Sequence, residues 1–267
     1  MNNISIIIVG MNHLTYLKPL FTSIFTEGII SQSFEVIYVD NCSTDGSVEY
    51  ISSKYPQVKI LINNSPAGFG ENNNKGVLAA TGKYIAIINP DIVLKKGCID
   101  LLYNFMENHN NIGIVVPQLL NPDGTIQYSV RGFISLSKLW ARIKTKGNDK
   151  SMNPQVEEYL CKNIDFHKTQ TIDWALGAAM VMKKDTFAAL GGFDTDYFLY
   201  MEDEDLCLRC WKMNRPVIYY PEAQMIHNHL RGSSKLGKKT IMHLNSMKTF
   251  FLKHGFNIKS FVKREEY

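Results

Sequence analysis

Short apolar runs rich in β-branched residues recur along the first third of the chain. They lie at residues 4–9, 34–39, 58–62 and 84–88. None of them alternates apolar with polar residues, a pattern typical of strands that are covered on both faces. Between the runs, apolar residues recur at helical spacing, for example over residues 14–25. Strands that alternate with helices in this way predict an α/β fold with a doubly wound, mostly parallel central sheet.

Polar residues follow three of these runs, where each strand should end. They are Asn12 after the first run, Asp40 and Asn41 after the second, and Asn89 and Asp91 after the fourth. Ligands of parallel sheets bind at the carboxyl ends of the strands. A carboxylate there can accept a hydrogen bond from a pyrimidine imide N–H, and Asp40 is the candidate. Pro90 restrains the backbone before Asp91, so we expect a directed carboxylate. A polar turn explains each segment about equally well in isolation.

A glycine-rich loop follows the third run and leads into a predicted helix. Its glycines, among them Gly68, permit close backbone approach to a ligand. The following helix N-terminus, with Asn73 in its first turns, suits phosphate or sugar hydroxyls. The turn after the first strand lacks the GxGxxG pattern of dinucleotide-binding proteins, which argues against a NAD or FAD enzyme.

The pattern changes from residue 112. A strand is predicted over 112–116 and a turn over 121–124, followed to about residue 170 by an irregular, partly mobile stretch that shapes an acceptor site. Order returns over 171–182, where Trp174 stands among small residues that include Gly177. Trp174 is either a core residue, the more frequent fate of a lone aromatic, or a flat surface for the apolar face of a sugar ring.

Four consecutive acids, Glu202 to Asp205, follow an aromatic run. They suit the N-terminus of a helix, and Asp205 and Arg209 are spaced for an i, i+4 ion pair. Crowded carboxylates repel one another, so the pKa of at least one acid should rise, which suits a general base. Glu202 and Glu204 should point to different sides, which leaves Asp203 as the acid most free to face a substrate.

The last strand is predicted over 217–220, with His227 and His229 in the loop beyond it. Two histidines at i and i+2 are either metal ligands or ordinary polar loop residues. Basic residues then alternate with Phe and Leu at roughly helical spacing towards the end of the chain. We expect this tail either to pack on the domain or to lie on an anionic membrane surface as a basic amphipathic helix.

Charge and composition exclude several classes of protein. The 29 basic and 25 acidic residues give a net charge of +4, too slight for a nucleic-acid partner unless it is clustered. No apolar run approaches the roughly 20 residues of a membrane helix, and the start lacks the basic segment of a secretory signal, so we expect a cytoplasmic protein. The five cysteines lack paired metal spacing and are expected to be reduced thiols.

The ordered set of motifs resembles the family 2 glycosyltransferases of the GT-A fold, and most closely their bacterial rhamnosyltransferase branch. The motifs are Asn12 after the first strand, the loop 40–47, the glycine loop 68–76, Asn89-Pro90-Asp91, and the segments 191–194 and 200–209. The resemblance covers roughly residues 4–234. It implies a nucleotide-sugar-binding half over 1–110, an acceptor-binding and catalytic half over 111–234, and a basic helical tail over 235–267.

The resemblance also implies roles for single residues. Mg²⁺ or Mn²⁺ would be bound by Asp91, with His227 or His229 as a further ligand, and Asp203 would be the catalytic base. Asn89 stands where the family has the first acid of its Asp-x-Asp motif. The implied contacts to the donor nucleotide are Asn12, Asp40, Asn41, Gly68, Asn73 and Asn89, and those to the acceptor are Trp174, Gly177 and Glu202.

The implied reaction is an inverting transfer of a sugar to a saccharide or lipid-linked saccharide in surface polysaccharide synthesis. L-Rhamnose from dTDP-rhamnose is the donor that the resemblance favours. A UDP-sugar is the alternative, because Asp40 would accept the same imide N–H from uracil. A nucleotidyltransferase would carry a glycine-rich, basic loop after the first strand, and residues 10–14 contain none. A non-catalytic sugar-binding protein would not be expected to keep both acidic centres.

Overall fold

The computed structural model describes residues 2–228 and 238–262. In order along the chain, the described strands are β1 (Ile4–Gly10), β2 (Phe34–Asp40), β3 (Lys59–Ile62), β4 (Tyr84–Ile88), β5 (Ile92–Leu94), β6 (Ile114–Leu120), β7 (Val130–Arg131), β8 (Gln170–Thr171), β9 (Trp174–Ala175), β10 (Ala179–Lys183) and β11 (Val217–His227). The described helices are α1 (Leu14–Phe25), α2 (Ser47–Lys54), α3 (Phe69–Leu78), α4 (Cys98–Asn108), α5 (Leu136–Lys144), α6 (Pro154–Tyr159), α7 (Lys184–Ala189), α8 (Glu202–Lys212) and α9 (Lys238–His254). The four apolar runs of the first third are strands, as predicted.

The central sheet has the strand order β3-β2-β1-β4-β10-β6-β11-β5, with β8 added beside β11. Strands β1 to β4, β6 and β11 run in one direction, which confirms the predicted mostly parallel α/β sheet. Strand β10 runs against its two neighbours, β4 and β6, an insertion that the sequence did not indicate. Because β10 is antiparallel to β4, the start of β10 lies beside the carboxyl end of β4, with Ala179 opposite Ile88.

Helices cover both faces of this sheet, since successive side chains of a strand point to opposite sides. In β1, Ile6 and Ile8 belong to the same buried cluster as residues of α1, α2 and α4. Ile7, between them, belongs to the opposite cluster, which contains residues of α3, α8 and α9. This two-sided burial explains why the strands read as continuous apolar runs.

The stretch from the turn at 121–124 to about residue 170, predicted to be irregular, is in part helical. The stretch contains two capped helices: the side-chain oxygen of Ser135 accepts a hydrogen bond from the amide of Lys138 in α5, and Asn153 caps α6. Pro154 occupies the first turn of α6, where a missing N–H is tolerated. The Asn-Pro pair was therefore a usable helix-start signal that the sequence interpretation overlooked.

Strand β11 is also longer than the predicted 217–220, because it continues to His227. Its register against β6 shifts between Tyr220 and Gln224, so a bulge accommodates Pro221 within the strand. His227 therefore lies at the end of a strand and not in a loop. His229 lies outside the described residues.

The C-terminal helix α9 packs on the domain, which confirms one of the two predicted alternatives for the tail. Phe250 and Phe251 are buried in the cluster that contains α8. The Ser246 hydroxyl donates to the carbonyl of Leu199, and His254 Nε2 lies 2.7 Å from Asp205 Oδ1. Of the basic tail residues, Lys263, Arg264 and the side chains of Lys238 and Lys239 lie outside the described part. None of the helices within the described ranges has the length and hydropathy needed to cross a bilayer.

Replacing Phe250 by alanine should lower the free energy of unfolding by about 3–5 kcal/mol, because the ring is fully buried against α8. Leu244→Ala, on the exposed side of the same helix, is the matched control and should change it by less than about 0.5 kcal/mol. Urea denaturation followed by circular dichroism measures both. Equal effects of the two substitutions would show that α9 does not contribute to the core.

Candidate active site

The start of β5 and the end of β11 lie beside each other, at the edge of the sheet where the parallel strands have their carboxyl ends. Strands β5 and β11 pair in antiparallel fashion, with His227 opposite Ile92. The amide of Asn228 donates to the carbonyl of Asp91 at 2.9 Å, which extends this pairing by one residue. As a result, His227 Nε2 lies 3.4 Å from Asp91 Oδ1. Two candidate ligands that are distant in sequence are therefore side by side.

Gln127 determines which nitrogen of His227 carries a proton. Its side-chain Nε2 donates to Asn121 Oδ1, so its Oε1 is the atom that lies 2.6 Å from His227 Nδ1. An amide oxygen only accepts, so Nδ1 is the donor and Nε2 presents its lone pair towards Asp91. A partner of this kind is typical of metal-binding histidines. Sequence analysis missed Gln127, because nothing in its surroundings marks it.

The Asp91–His227 pair suits a divalent cation. Asp91 Oδ1 is buried and has no hydrogen-bond partner among the described residues. A carboxylate oxygen and an imidazole lone pair repel at 3.4 Å unless a cation or a proton lies between them. In the part of the chain that the structure describes, no three His, Cys, Asp or Glu residues form a metal cluster. Among the described residues, Asp91 and His227 would supply two ligands, and water or a substrate oxygen could occupy further positions.

Asp203 lies in the first turn of α8, and both of its carboxylate oxygens are fixed. Oδ2 accepts a hydrogen bond from the amide of Gly177 at 2.9 Å, and Oδ1 accepts one from the amide of Glu204. Burial raises the pKa of Asp203, and these two hydrogen bonds oppose the rise. The direction agrees with the prediction. The principal cause is burial, whereas the prediction assigned it to crowding by neighbouring acids.

The three acids around Asp203 have separate environments. Glu204 accepts a hydrogen bond from the amide of Ile134 at 2.7 Å, and burial raises its pKa well above the ordinary value. Glu202 is buried, one of its oxygens has no hydrogen-bond partner in the described residues, and its pKa is raised well above normal by burial and by Asp203. Asp205 forms the predicted ion pair with Arg209 at 2.7 Å. Glu202 is therefore the other acid to weigh as a base.

A short run of backbone contacts joins Asp203 to the edge that carries Asp91. The amide of Asn89 donates to the carbonyl of Ala178 at 2.8 Å, next to Gly177, whose amide holds Asp203. Because Ala178 directly precedes β10, the antiparallel position of that strand brings Asn89 and Asp203 to the same place. The acid of α8 and the end of β4 therefore form one site.

The nucleotide-binding candidates on β1 and β2 are connected to one another. Asp40 is buried and accepts hydrogen bonds from the Tyr38 hydroxyl at 3.0 Å and from the Ser43 amide at 2.9 Å. Asn12 Oδ1 accepts a hydrogen bond from the amide of Thr44 at 2.8 Å, which ties the first loop to the second. Each Asp40 oxygen has a further lone pair that could accept a hydrogen bond from a nucleotide base.

Three other candidates make internal contacts. Asn41 Oδ1 accepts from the amide of Ala67, and its side-chain nitrogen donates to the Ala67 carbonyl, so this side chain fastens the glycine loop. Asn73 is buried, and its side chain donates to the carbonyl of Phe69. A Cβ on Gly68 would lie 2.8 Å from the carbonyl oxygen of Phe198. Gly68 thus permits a close approach to the loop before α8, and its contact with a donor stays a prediction.

Of the three acceptor candidates, one lies in the core and two lie at the site. Trp174 is 5% exposed, and its indole N–H donates to the carbonyl of Gly132, a placement that favours the core alternative. Gly177 touches the site directly, since a Cβ there would lie 3.2 Å from the Cβ of Asp203. Glu202 is also adjacent to the site, through its neighbour Asp203.

This arrangement of fold and site is that of a glycosyltransferase of the GT-A fold. The family model for Glycosyl transferase family 2 matches residues 5–168, more than half of the chain, and the chain belongs to that family. This confirms the resemblance drawn from the motifs.

Two curated relatives are named as rhamnosyltransferases. The chain is 27% identical over 221 residues to the N-acetylglucosaminyl-diphospho-decaprenol L-rhamnosyltransferase of Mycobacterium tuberculosis, covering 75% of this chain and 68% of the relative. It is 27% identical over 259 residues to the rhamnosyltransferase WbbL of Escherichia coli, covering 90% of this chain and 89% of the relative. Such relatives place the protein among glycosyltransferases of polysaccharide synthesis.

Solved structures with the same fold include the mannosyltransferase PcManGT of Pyrobaculum calidifontis in complex with GDP-Man and Mn²⁺. The TM-score is 0.63 at 15% identity, and the match covers 97% of this chain and 66% of that one. S. aureus TarS matches with a TM-score of 0.59 at 16% identity, over 84% of this chain and 60% of that one. The chain thus spans about two thirds or less of these structures, and identities this low establish the fold alone.

Asp91→Asn should weaken Mn²⁺ binding in the presence of a nucleoside diphosphate by at least about tenfold, because it removes the charge beside His227. Gln127→Leu should also weaken it, since the tautomer of His227 is then no longer fixed. Isothermal titration calorimetry measures both. Glu107→Gln, which removes a carboxylate paired with Lys83 at 2.5 Å elsewhere on the molecule, is the control. Unchanged affinity in Asp91→Asn would exclude this residue from the metal site.

Proposed function

We propose that the protein is a metal-dependent, inverting glycosyltransferase that moves a sugar from a nucleoside diphosphate donor to a saccharide hydroxyl. The observation that carries the proposal is that β10 brings the half-buried acid Asp203 to the edge of the sheet that carries Asp91 and His227. A single displacement needs a base that takes the proton of the acceptor hydroxyl. It also needs ligands for the cation that neutralises the diphosphate leaving group.

Asp203 would act on the acceptor. The acceptor oxygen forms a bond to the anomeric carbon, its proton passes to the Asp203 carboxylate, and the bond from that carbon to the phosphate oxygen breaks. Attack from the face opposite the leaving group inverts the configuration. The amides of Gly177 and Glu204 hold the carboxylate oriented throughout. General-base assistance of this kind contributes typically about 10²–10⁴-fold.

Asp91 and His227 would hold Mg²⁺ or Mn²⁺. When bound, such an ion neutralises charge on the diphosphate as it leaves. PcManGT was solved with Mn²⁺ and GDP-Man, and its likeness to this chain supports metal use without deciding between the two ions. His227 is the last residue of β11 and Asp91 directly precedes β5, so the pairing of these two strands fixes both ligands.

The proposed donor is dTDP-rhamnose. It is supported by the names of the two relatives and by Asp40, which keeps lone pairs for a pyrimidine imide N–H. The proposed acceptor is a saccharide or lipid-linked saccharide of a bacterial surface polysaccharide. A UDP-sugar is the second candidate, because uracil offers the same N–H as thymine. A screen of nucleotide-sugar turnover with and without Mn²⁺ tests donor and metal together.

Asp203→Asn should lower kcat for transfer by about 10²–10⁴-fold while donor affinity is kept, because the amide preserves shape but is not basic. In the native enzyme, kcat should fall as the pH decreases through the pKa of Asp203. Burial raises that pKa, so the midpoint should lie above the ordinary aspartate value of about 3.9.

The pH profile of steady-state turnover, with donor binding measured separately, checks both statements. Glu202→Gln is the decisive comparison, since Glu202 is the neighbouring buried acid. Near-native turnover in Asp203→Asn, together with a large loss in Glu202→Gln, would transfer the role of base to Glu202.

Asp40→Asn should weaken binding of thymidine or uridine diphosphate by roughly 10–100-fold, which corresponds to one charge-assisted hydrogen bond of about 1.5–3 kcal/mol. The amide can accept from the Ser43 N–H through its oxygen and donate to the Tyr38 hydroxyl oxygen through its NH2 group, so the loop should remain in place. Competition binding against guanosine diphosphate provides the control. Equal affinity of the native protein for guanosine and pyrimidine diphosphates would contradict this role of Asp40.

A further inference from the structure

Helix α5 presents its apolar side chains outwards. Leu136, Trp140 and Ile143, at positions i, i+4 and i+7, lie on one face of the helix and are 41%, 59% and 56% exposed. The opposite side of α5 faces the protein, where Ala141 packs in a small cluster with Val156 and Leu160 of the α6 region. A surface helix normally buries its apolar stripe, so the orientation of α5 is reversed.

The C-terminal segment extends this apolar surface. Asn257 forms an isolated antiparallel bridge with Ser135, the residue before α5. Phe256 directly precedes Asn257, so this bridge brings it to the start of α5. Phe256 is 51% exposed, and its ring stacks on Phe251 at 5.2 Å, which anchors it. We call Leu136, Trp140, Ile143 and Phe256 the Trp140 face.

Positive charge surrounds the Trp140 face. Residues 136–152 contain five basic side chains and one acidic side chain, a net charge of +4, although Lys138 is buried and paired with Glu158 at 3.0 Å. The acid, Asp149, is paired with Arg142 at 2.8 Å. Three exposed lysines, Lys144, Lys146 and Lys150, follow the apolar stripe, and Lys259 is exposed near Phe256. The whole net charge of the protein is +4, so this short segment has as large an excess of positive charge as the entire chain.

We propose that the Trp140 face is a membrane-binding surface that sits in the headgroup region of an anionic bilayer. Tryptophan with neighbouring aliphatic side chains suits the boundary between headgroups and acyl chains. The lysines are complementary to the negative surface of anionic lipids. Among the possible occupants, a lipid surface matches both the apolar stripe and its one-sided charge. This inference goes beyond the proposed reaction, and it does not require the donor or the acceptor to be correct.

The structure assigns this role to α5 in preference to α9. Helix α9 also exposes apolar residues, Ile241, Leu244 and Leu252, but it has no tryptophan. Its Lys253 is engaged by Asp194 and Asp196, so that charge is already neutralised. The two surfaces can be separated by mutation, because Leu244 is 58% exposed and matches Trp140 in exposure.

Intrinsic fluorescence provides a direct test with the full-length protein. The chain has three tryptophans, and Trp174 and Trp211 both donate their indole N–H to backbone carbonyls inside the protein. Vesicles of phosphatidylcholine with phosphatidylglycerol should therefore shift the emission of Trp140 to shorter wavelength, whereas phosphatidylcholine alone should not. The shift should disappear in Trp140→Phe, which keeps an aromatic ring at this position but removes the reporter.

Flotation with the same vesicles measures affinity. The double substitution Trp140→Ser with Ile143→Ser should reduce partitioning by roughly tenfold or more, since it removes two large apolar side chains. Each of Lys144→Gln, Lys146→Gln and Lys150→Gln should reduce it by about fivefold, an effect that added salt should diminish. Leu244→Ser is the matched control and should float like the native protein. Circular dichroism would confirm that the variants are folded.

Three results would overturn the proposal. The first is the absence of binding to anionic vesicles at low salt. The second is loss of binding in Leu244→Ser with retention in the Trp140 and Ile143 double variant, which would place the membrane contact on α9. The third is a concentration-dependent dimer in sedimentation that the double variant abolishes, which would show that a second copy of the chain covers the face. Sugar transfer to a water-soluble acceptor should be unchanged in all of these variants, so failure of this proposal is distinguishable from failure of the proposed function.

Discussion

The antiparallel placement of β10 between β4 and β6 is the constraint on which the site depends. Strand β4 ends at the segment that carries Asn89 and Asp91, and the start of β10 is fixed beside it by backbone pairing. Gly177 lies just before β10, so its amide can hold Asp203 of α8. If β10 ran parallel to β4, its first residues would lie at the opposite edge of the sheet. The acid and the metal ligands would then be separated by the length of a strand.

Much of the first third of the fold could be predicted from the sequence, because there the hydrophobic pattern and the backbone hydrogen bonding agree. Strand β4 and helix α1 lie where the apolar pattern placed them. The direction of β10 could not be predicted, because a buried antiparallel strand has the same continuous apolar pattern as a parallel one. The two helices between residues 130 and 160 were missed for a different reason, because their start signals, Ser135 for α5 and Asn153 with Pro154 for α6, were overlooked.

In the site, too, residues in local motifs could be predicted, whereas contacts between distant segments could not. Asp91, His227 and Asp203 were predicted from motif order, and the structure brings Asp91 to His227 and Asp203 to the neighbouring backbone. Contacts such as Gln127 with His227 depend on pairing across 100 residues and leave no local signal. Gly68 has a second constraint that the sequence did not indicate, because it makes room for the backbone of Phe198.

The contact between α9 and α8 also affects the order in which the protein becomes complete. Lys212 lies 3.0 Å from His254 Nδ1, which leaves Nε2 to donate to Asp205, two residues from Asp203. Asp205 and His254 are 49 residues apart, so a ribosome must add that length of chain before the helix with the acid acquires its final partner. Contacts of such high sequence separation form late. A nascent chain that ends before α9 would therefore carry Asp91, Asp203 and His227 without the contact that α9 makes with Asp205 of α8.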